Sequence, residues 1–322
     1  MKPILKLYRG YANEQELIVM GHVFKPTRKK DYDFQKKRFK NAASVIKMFG
    51  LKTHSNTDVY LEYKNEKLRT KTLNDGYFKF CVPLDQQDKY GWVEYYVSIK
   101  HGTKTIREKG KYIRPHEGEI GIISDIDDTF LISYSLNPFK KLYNLLFKNV
   151  TNRKVYDDVV PHYQALSISG REDKSKPNAF FYVSSSEWNL YRFIEKFAEI
   201  HHLPKAVLLL KDIKTSIKDF IISGKGNHNH KFFKIKHILE FYPNLKYVLL
   251  GDDSQEDAFI YEAISKIFPL SVKAVYVRQT GKMKKKKVIE VMKNLESLGI
   301  DVCYFTSSKE AMEHSKLIGL IE

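Results

Sequence analysis

Five short apolar runs, at 120–124, 179–183, 206–210, 246–250 and 272–277, alternate along the chain with segments of helical periodicity at 187–200, 231–241, 256–267, 286–297 and 308–316. Runs that are apolar throughout, with no polar alternation, suit strands buried on both faces. Strand and helix in repeated alternation leave one main architecture, a doubly wound parallel sheet that binds ligands at the carboxyl ends of its strands. Residues 130–178 break the pattern, being aromatic-rich and then polar from Ser169 to Asn178. They are expected to form a small helical insertion beside the site.

The first 118 residues follow a different logic. Short segments at 57–63, 67–72, 77–82 and 93–99 read as strands, and Asn74-Asp75-Gly76 marks a turn between two of them. The spacing predicts a β-sandwich-like domain over 1–118, followed by an α/β domain over 119–322. One helix is expected over 34–49, where Phe39, Ala42, Ala43, Ile46 and Phe49 recur at helical spacing. Charge divides the same way. Residues 1–118 hold 25 Lys and Arg against 13 Asp and Glu, and the remainder 30 against 25, so most of the net +17 lies in the β-rich part. Such a surface favours anionic membranes or nucleic acid, the membrane being the reading preferred here. A second basic run, Lys282 to Lys287, opens a helix and reads as a solvated turn.

Composition closes off several classes. A chain 43% hydrophobic and 13% aromatic is not disordered. No uncharged stretch approaches the ~20 residues of a membrane-spanning helix, and charges at Lys2, Lys6 and Arg9 interrupt any secretory leader. Two cysteines, Cys81 and Cys303, cannot make a disulfide framework or a thiolate metal site, and are expected as small buried residues on strands. The expectation is a cytoplasmic protein with peripheral contact at the inner membrane surface.

Chemistry concentrates where the apolar runs end. Ile122-Ile123-Ser124 leads into Asp125-Ile126-Asp127-Asp128-Thr129. Carboxylates at positions i and i+2 after a strand can converge on one metal and one phosphorus atom, and packing three together calls for a cation. Hard Mg²⁺ fits an all-oxygen site. Asp125 would then attack phosphorus and Asp127 would protonate the leaving oxygen, both carboxylates also touching the metal. A second run, Phe180 to Val183, delivers Ser184-Ser185-Ser186, so Ser184 can bind a phosphoryl group while Ser185 or Ser186 caps the next helix. Lys231 begins an amphipathic helix and can offset phosphate charge. Tyr247 to Leu250 ends in Gly251-Asp252-Asp253-Ser254, which makes Asp252 a second metal carboxylate, with Asp253 or Asp257 completing the shell and Asp253 or Ser254 available as a helix cap. Thr129 and Ser185 complete the candidate substrate contacts.

Four strand-end elements in the order Asp-x-Asp, Ser, Lys, Gly-Asp resemble the haloacid dehalogenase superfamily. Closer still, Ser124 to Thr129, Tyr182 to Tyr191, Leu203-Pro204-Lys205 before Leu208 to Asp212, His230-Lys231 and Phe259-Ile260-Tyr261 resemble the catalytic domain of the actin-patch-protein type of phosphatidate phosphatase. Tyr8 to Tyr11 and Asp75 to Phe78 resemble the β-rich segment that precedes it in bacterial members. Ser185, Glu187 and Asp253 depart from the residues usual there. The resemblance implies a HAD-like fold and Mg²⁺-dependent hydrolysis of phosphatidate to diacylglycerol. It makes Asp125 the nucleophile, Asp127 the acid and base, Ser184 and Lys231 phosphate contacts, and Asp252 a metal ligand. Two alternatives stand beside it: a phosphatase of a soluble or protein phosphomonoester, and a non-catalytic adaptor whose basic domain binds membranes or nucleic acid.

Overall fold

The structure is a computed structural model that describes residues 2–26, 52–64, 66–84, 89–118, 120–126, 156, 158–211 and 229–322. The helix expected over 34–49, Asp127, Asp128, Thr129 and the first half of the 130–178 insertion lie outside the described residues.

Eight strands form the first sheet: β1 (Ile4–Leu7), β2 (Gly10–Ala12), β3 (Glu16–Phe24), β4 (Asp58–Tyr63), β5 (Glu66–Lys71), β6 (Tyr77–Pro83), β7 (Gly91–His101) and β8 (Lys104–Arg114). In place of two separate sheets there is one continuous sheet, in the order β1-β3-β2-β8-β7-β4-β5 with β6 on the far edge of β3. Strands from both halves of that order share one core, including Leu17 and Val19 of β3, Val59 and Leu61 of β4, Phe78 of β6 and Val97 of β7. Strict alternation explains the outward faces. It also corrects one expectation: Cys81 is exposed because β6 buries Phe78, Phe80 and Val82 and turns the residues between them outward. Cys303 is half-buried.

The second sheet has six strands: β9 (Ile120–Ser124), β10 (Ala179–Glu187), β11 (Val207–Lys211), β12 (Lys246–Asp252), β13 (Val272–Arg278) and β14 (Asp301–Phe305). All neighbours are parallel, in the order β11-β10-β9-β12-β13-β14. Among the described residues six helices accompany them: α1 (Val159–Ser167), α2 (Tyr191–Ile200), α3 (Asn229–Phe241), α4 (Asp257–Ile267), α5 (Lys286–Ser297) and α6 (Ser308–Leu317). Tyr163 of α1 reaches Ser124 and Ser315 of α6 reaches Tyr276, so these helices cover one face, while α4 packs over Gly251 on the other. The chain builds outward from β9 to β11, then returns to place β12 on the other side of β9. This reversal makes the cleft between the carboxyl ends of β9 and β12 the natural ligand site.

The two sheets share a continuous apolar core that joins Tyr8, Tyr11, Ile18 and Met20 to α2, α3 and the parallel strands. Tyr8 stacks on Trp188 with ring centroids 4.3 Å apart. The Arg9 amide donates to the Tyr191 hydroxyl at 2.8 Å, and the Tyr242 hydroxyl to the Ala12 carbonyl at 3.0 Å. The turn between β1 and β2 is thus the docking element. Trp188 and Tyr191 belong to this shared core.

Burial holds two histidines neutral, with a pKa of about 3 for His22, on which Lys6 also acts, and about 4 for His162. Unfolded histidine takes up its proton near 6.5, so the unfolded chain binds more protons below that pH. Stability contributed by these two residues is complete above pH ~6.5 and falls by about 1.4 kcal/mol per pH unit for each as the pH drops toward their folded values. Thermal unfolding between pH 7 and 4.5 should show this decline, and His22→Gln should make it shallower.

Candidate active site

Asp125 follows β9 directly, and its amide donates to the Leu250 carbonyl of β12 at 2.8 Å. That bond extends the β9–β12 ladder, which pairs Ser124 with Leu250, by one step past the strand end. Ser124, fully buried, anchors the turn from the opposite face: its hydroxyl donates to the Asp125 carbonyl at 2.6 Å and lies 2.8 Å from the Tyr163 hydroxyl. The backbone at Asp125 is therefore held from two sides. Two residues past Leu250, Asp252 ends β12 beside it.

Lys231, in the first turn of α3, is completely buried and meets two carboxylates. Its Nζ lies 3.0 Å from Asp125 Oδ1 and pairs directly with Asp257 Oδ1. Asp257 opens α4, and its other oxygen accepts the Asp252 amide at 3.3 Å. Burial alone would lower the Lys231 pKa, but Asp125 and Asp257, with Asp252 behind them, drive it above the ordinary lysine value. The lysine stays charged because its neighbours are charged. Asp125, Asp252 and Asp257 each place an oxygen within 4.8 Å of the others, a donor set suited to a hard divalent cation. With all three ionised, one lysine leaves an excess of negative charge, which such a cation would balance.

Gly251 makes this cluster possible. A Cβ there would lie 2.7 Å from Asp257 Cβ and 3.0 Å from the Tyr261 ring, whose hydroxyl donates to the Leu250 carbonyl at 2.8 Å. Gly251→Ala should push α4 away from β12. The expected cost is about 1–3 kcal/mol of stability, with a larger loss of phosphate release, both measurable on the purified variant.

Asp253, read from the sequence as a possible ligand, is turned elsewhere. Its Oδ1 accepts the Thr280 amide at 2.9 Å and its Oδ2 the Tyr304 hydroxyl at 2.6 Å, and the Lys285 ammonium donates to its backbone carbonyl. It fastens β12 to the ends of β13 and β14. The basic run at 282–287 is tied into this junction through Lys285. Neither Asp253 nor Ser254 caps α4, which starts at Asp257 with no side-chain cap.

Ser184 lies just past Asp125 on the neighbouring strand, since the register pairs Tyr182 with Ser124. The Ser186 amide donates to Ser184 Oγ at 2.9 Å, which leaves the hydroxyl proton available to a ligand. Ser185 Oγ is buried with no hydrogen-bond partner among the described residues. The helix expected over 187–200 starts later, because β10 runs on to Glu187 and a single 3₁₀ turn, Trp188–Leu190, precedes α2. Neither Ser185 nor Ser186 caps that helix; Leu190 occupies the cap position. Arg278, not singled out from the sequence, is buried at the end of β13 in register with Asp252, its guanidinium donating to Ser308 Oγ at 2.6 Å. Its only sequence signal is position, as the polar residue that ends an apolar run.

The class is defined by these features: a doubly wound α/β domain with a buried carboxylate–lysine centre at its switch point. Within that class, residues 120–279 match the family model described as Phosphatidate phosphatase APP1, catalytic domain. The chain is also 27% identical over 167 residues to Phosphatidate phosphatase APP1 of Saccharomyces cerevisiae, an alignment covering 52% of this chain and 27% of the yeast protein. It thus spans about a quarter of that curated relative. Among solved structures, a carbohydrate acetylesterase from Xanthomonas citri aligns with 99% of this chain and 74% of its own at 9% identity and a TM-score of 0.34. A β-glucuronidase from Parabacteroides merdae aligns with 93% and 40% at 6% identity and a TM-score of 0.30.

Proposed function

We propose that the chain is a Mg²⁺-dependent phosphatase that hydrolyses phosphatidate to diacylglycerol and phosphate through a phosphoryl group carried on Asp125. The observation that carries this reading is the buried Asp125–Lys231–Asp257 contact at the switch point, with Asp252 alongside. The strand-end order Asp125, Ser184, Lys231, Asp252 supports assignment to the haloacid dehalogenase superfamily.

In this scheme the Asp125 carboxylate attacks phosphorus, an Asp–O–P bond forms, and the bond from phosphorus to the glycerol oxygen breaks. Asp127, assigned from sequence alone, gives the departing oxygen its proton and then takes one from the water that hydrolyses the acyl phosphate. Lys231 and Ser184 hold equatorial phosphoryl oxygens, with Thr129 and Ser185 as further contacts. Asp125, Asp252 and Asp257 would hold Mg²⁺, which when bound adds positive charge where the nucleophile and phosphate meet. Asp257 has two tasks, fixing the charge and position of Lys231 and offering an oxygen to the cation.

Residues 119–322 would then carry the chemistry and residues 1–118 would bring it to an anionic surface. Exposed Lys67, Lys71, Lys100 and Lys104 on β5, β7 and β8 suit that role, each worth about 1 kcal/mol near such a surface. Neighbouring Arg69 and Arg107 are already paired with Asp58 and Glu62. Among the described residues no helix is long and apolar enough to cross a membrane. A cytoplasmic enzyme acting at the inner membrane surface fits these features.

The test is phosphate release from phosphatidate in anionic vesicles and from water-soluble phosphomonoesters, with Mg²⁺ and with a chelator. Phosphatidate should be the preferred ester, and chelation should stop turnover until Mg²⁺ is restored. Equal turnover of soluble esters would overturn the lipid assignment. Turnover indifferent to chelation would overturn the metal assignment.

A further inference from the structure

An apolar cleft of about 540 Å³ lies between the first sheet and the start of α3. Its volume is in the range of small-molecule sites, roughly 300–1,000 Å³. Met20, Leu73, Tyr77, Trp188, Leu209 and Phe233 give it an apolar lining. Two of these are unusually exposed for their type, Phe233 at 63% and Leu73 at 61%. They come from different layers, Phe233 from α3 and Leu73 from the β5–β6 turn, and both border the same cleft.

The occupant is indicated by what the lining residues adjoin in the chain. His230, in its lining, is joined by one peptide bond to Lys231, and Trp188 follows the Ser184-Ser185-Ser186 segment after a single residue. Leu209 of β11 pairs with Val183, the residue before Ser184. The apolar lining is thus continuous in the chain with two of the elements proposed to hold phosphate, the start of α3 and the end of β10. Charge agrees, since Lys79 and Lys234 share the lining with a single acid, Asp75.

We propose that this cleft seats one acyl chain of the substrate, so that a lipid phosphomonoester lies with its phosphate at Lys231 and its chain between α3 and the first sheet. This rests on the phosphatidate phosphatase reading and goes beyond it, because it gives the first sheet a direct part in choosing the substrate. Lipid selectivity then arises from the junction of the two layers, and each methylene that enters the cleft adds about fourfold to kcat/KM.

The experiment uses the full chain, in which Trp92 and Trp188 are the only tryptophans. With Trp92→Phe, Trp188 becomes a reporter inside the cleft. Bromododecyl phosphate is titrated below its micelle threshold in the presence of a chelator, with unbrominated dodecyl phosphate as control. Saturable, bromine-specific quenching is expected, and Phe233→Ala or Leu73→Ser should weaken it roughly tenfold. The ratio of kcat/KM for dioctanoyl over dibutyryl phosphatidate should fall in the same variants. Quenching that is absent, or unchanged in both variants, would overturn the acyl site. Quenching intact in a protein that releases phosphate from no ester would keep the acyl site and sink the phosphatase reading.

Discussion

Asp125→Asn is expected to lower phosphate release by about 10⁴-fold or more, the scale seen when a covalent nucleophile is removed. Few substitutions separate chemistry from folding so well at this site. Asparagine keeps the shape of aspartate and the backbone bond from residue 125 to Leu250, which does not depend on the side chain. Lys231 keeps Asp257 as a charged partner, so the variant should fold and unfold at nearly the wild-type temperature. The loss should appear in kcat. A folded Asp125→Asn protein with substantial phosphate release would remove Asp125 from the role of nucleophile.

Lys231→Met is expected to show the opposite balance, losing stability as well as activity. It removes the lysine that, among the described residues, pairs with a buried cluster of three carboxylates, Asp125, Asp252 and Asp257. Stranding buried charge in this way costs about 3–5 kcal/mol. Denaturant unfolding without metal should register that cost, and added Mg²⁺ should recover part of it by replacing the lost positive charge. The wild-type pH dependence follows from the raised Lys231 pKa. A lysine held above its unfolded pKa contributes its full stability below the unfolded value of about 10.4. That contribution declines only as the pH rises from there through the folded value. Acid unfolding is therefore not governed by Lys231, but by groups such as His22 and His162. If Lys231→Met were as stable as wild type in chelator, the carboxylates would have to be protonated or compensated by another group.

Much of the catalytic half is legible from its sequence because parallel strands covered on both faces must be apolar throughout. β9, β12 and β13 start where their apolar runs start, and α3 to α6 fall within two residues of their periodic segments. β14 is less visible. It is an edge strand, Asp301-Val302-Cys303-Tyr304-Phe305, with only Phe305 fully buried, so its pattern lacks a sustained apolar run. In the first half, β1 to β3 carry weak signals because their residues serve two cores. Leu17 and Val19 face the sheet's own interior, whereas Ile18 and Met20 face the parallel domain. β3 consequently lacks the polar alternation of a half-exposed strand.

The site was legible to a different depth. Strand-end position singles out Asp125, Ser184 and Asp252, because a doubly wound sheet presents that edge to ligands whatever the loops do. The roles of Asp253 and Asp257 could not be ordered from sequence. Asp253 is claimed by Thr280 and Tyr304, 27 and 51 residues further on, and no local pattern encodes those contacts. Asp257 reads as an ordinary first-turn acid of a helix. Its approach to Asp252 depends on the missing side chain of Gly251. A glycine just before a strand-end acid is, in retrospect, the one local sign that something must pass close by.

In the proposed mechanism phosphate passes through Asp125. Its most direct test is rapid acid quench of the Mg²⁺-loaded protein during the first turnover of phosphatidate, followed by mass spectrometry of the peptide containing residues 120–126. The expected result is a phosphoryl adduct on Asp125 that forms before free phosphate appears and then decays. Phosphate released at full rate with no adduct on Asp125 at any time would contradict it.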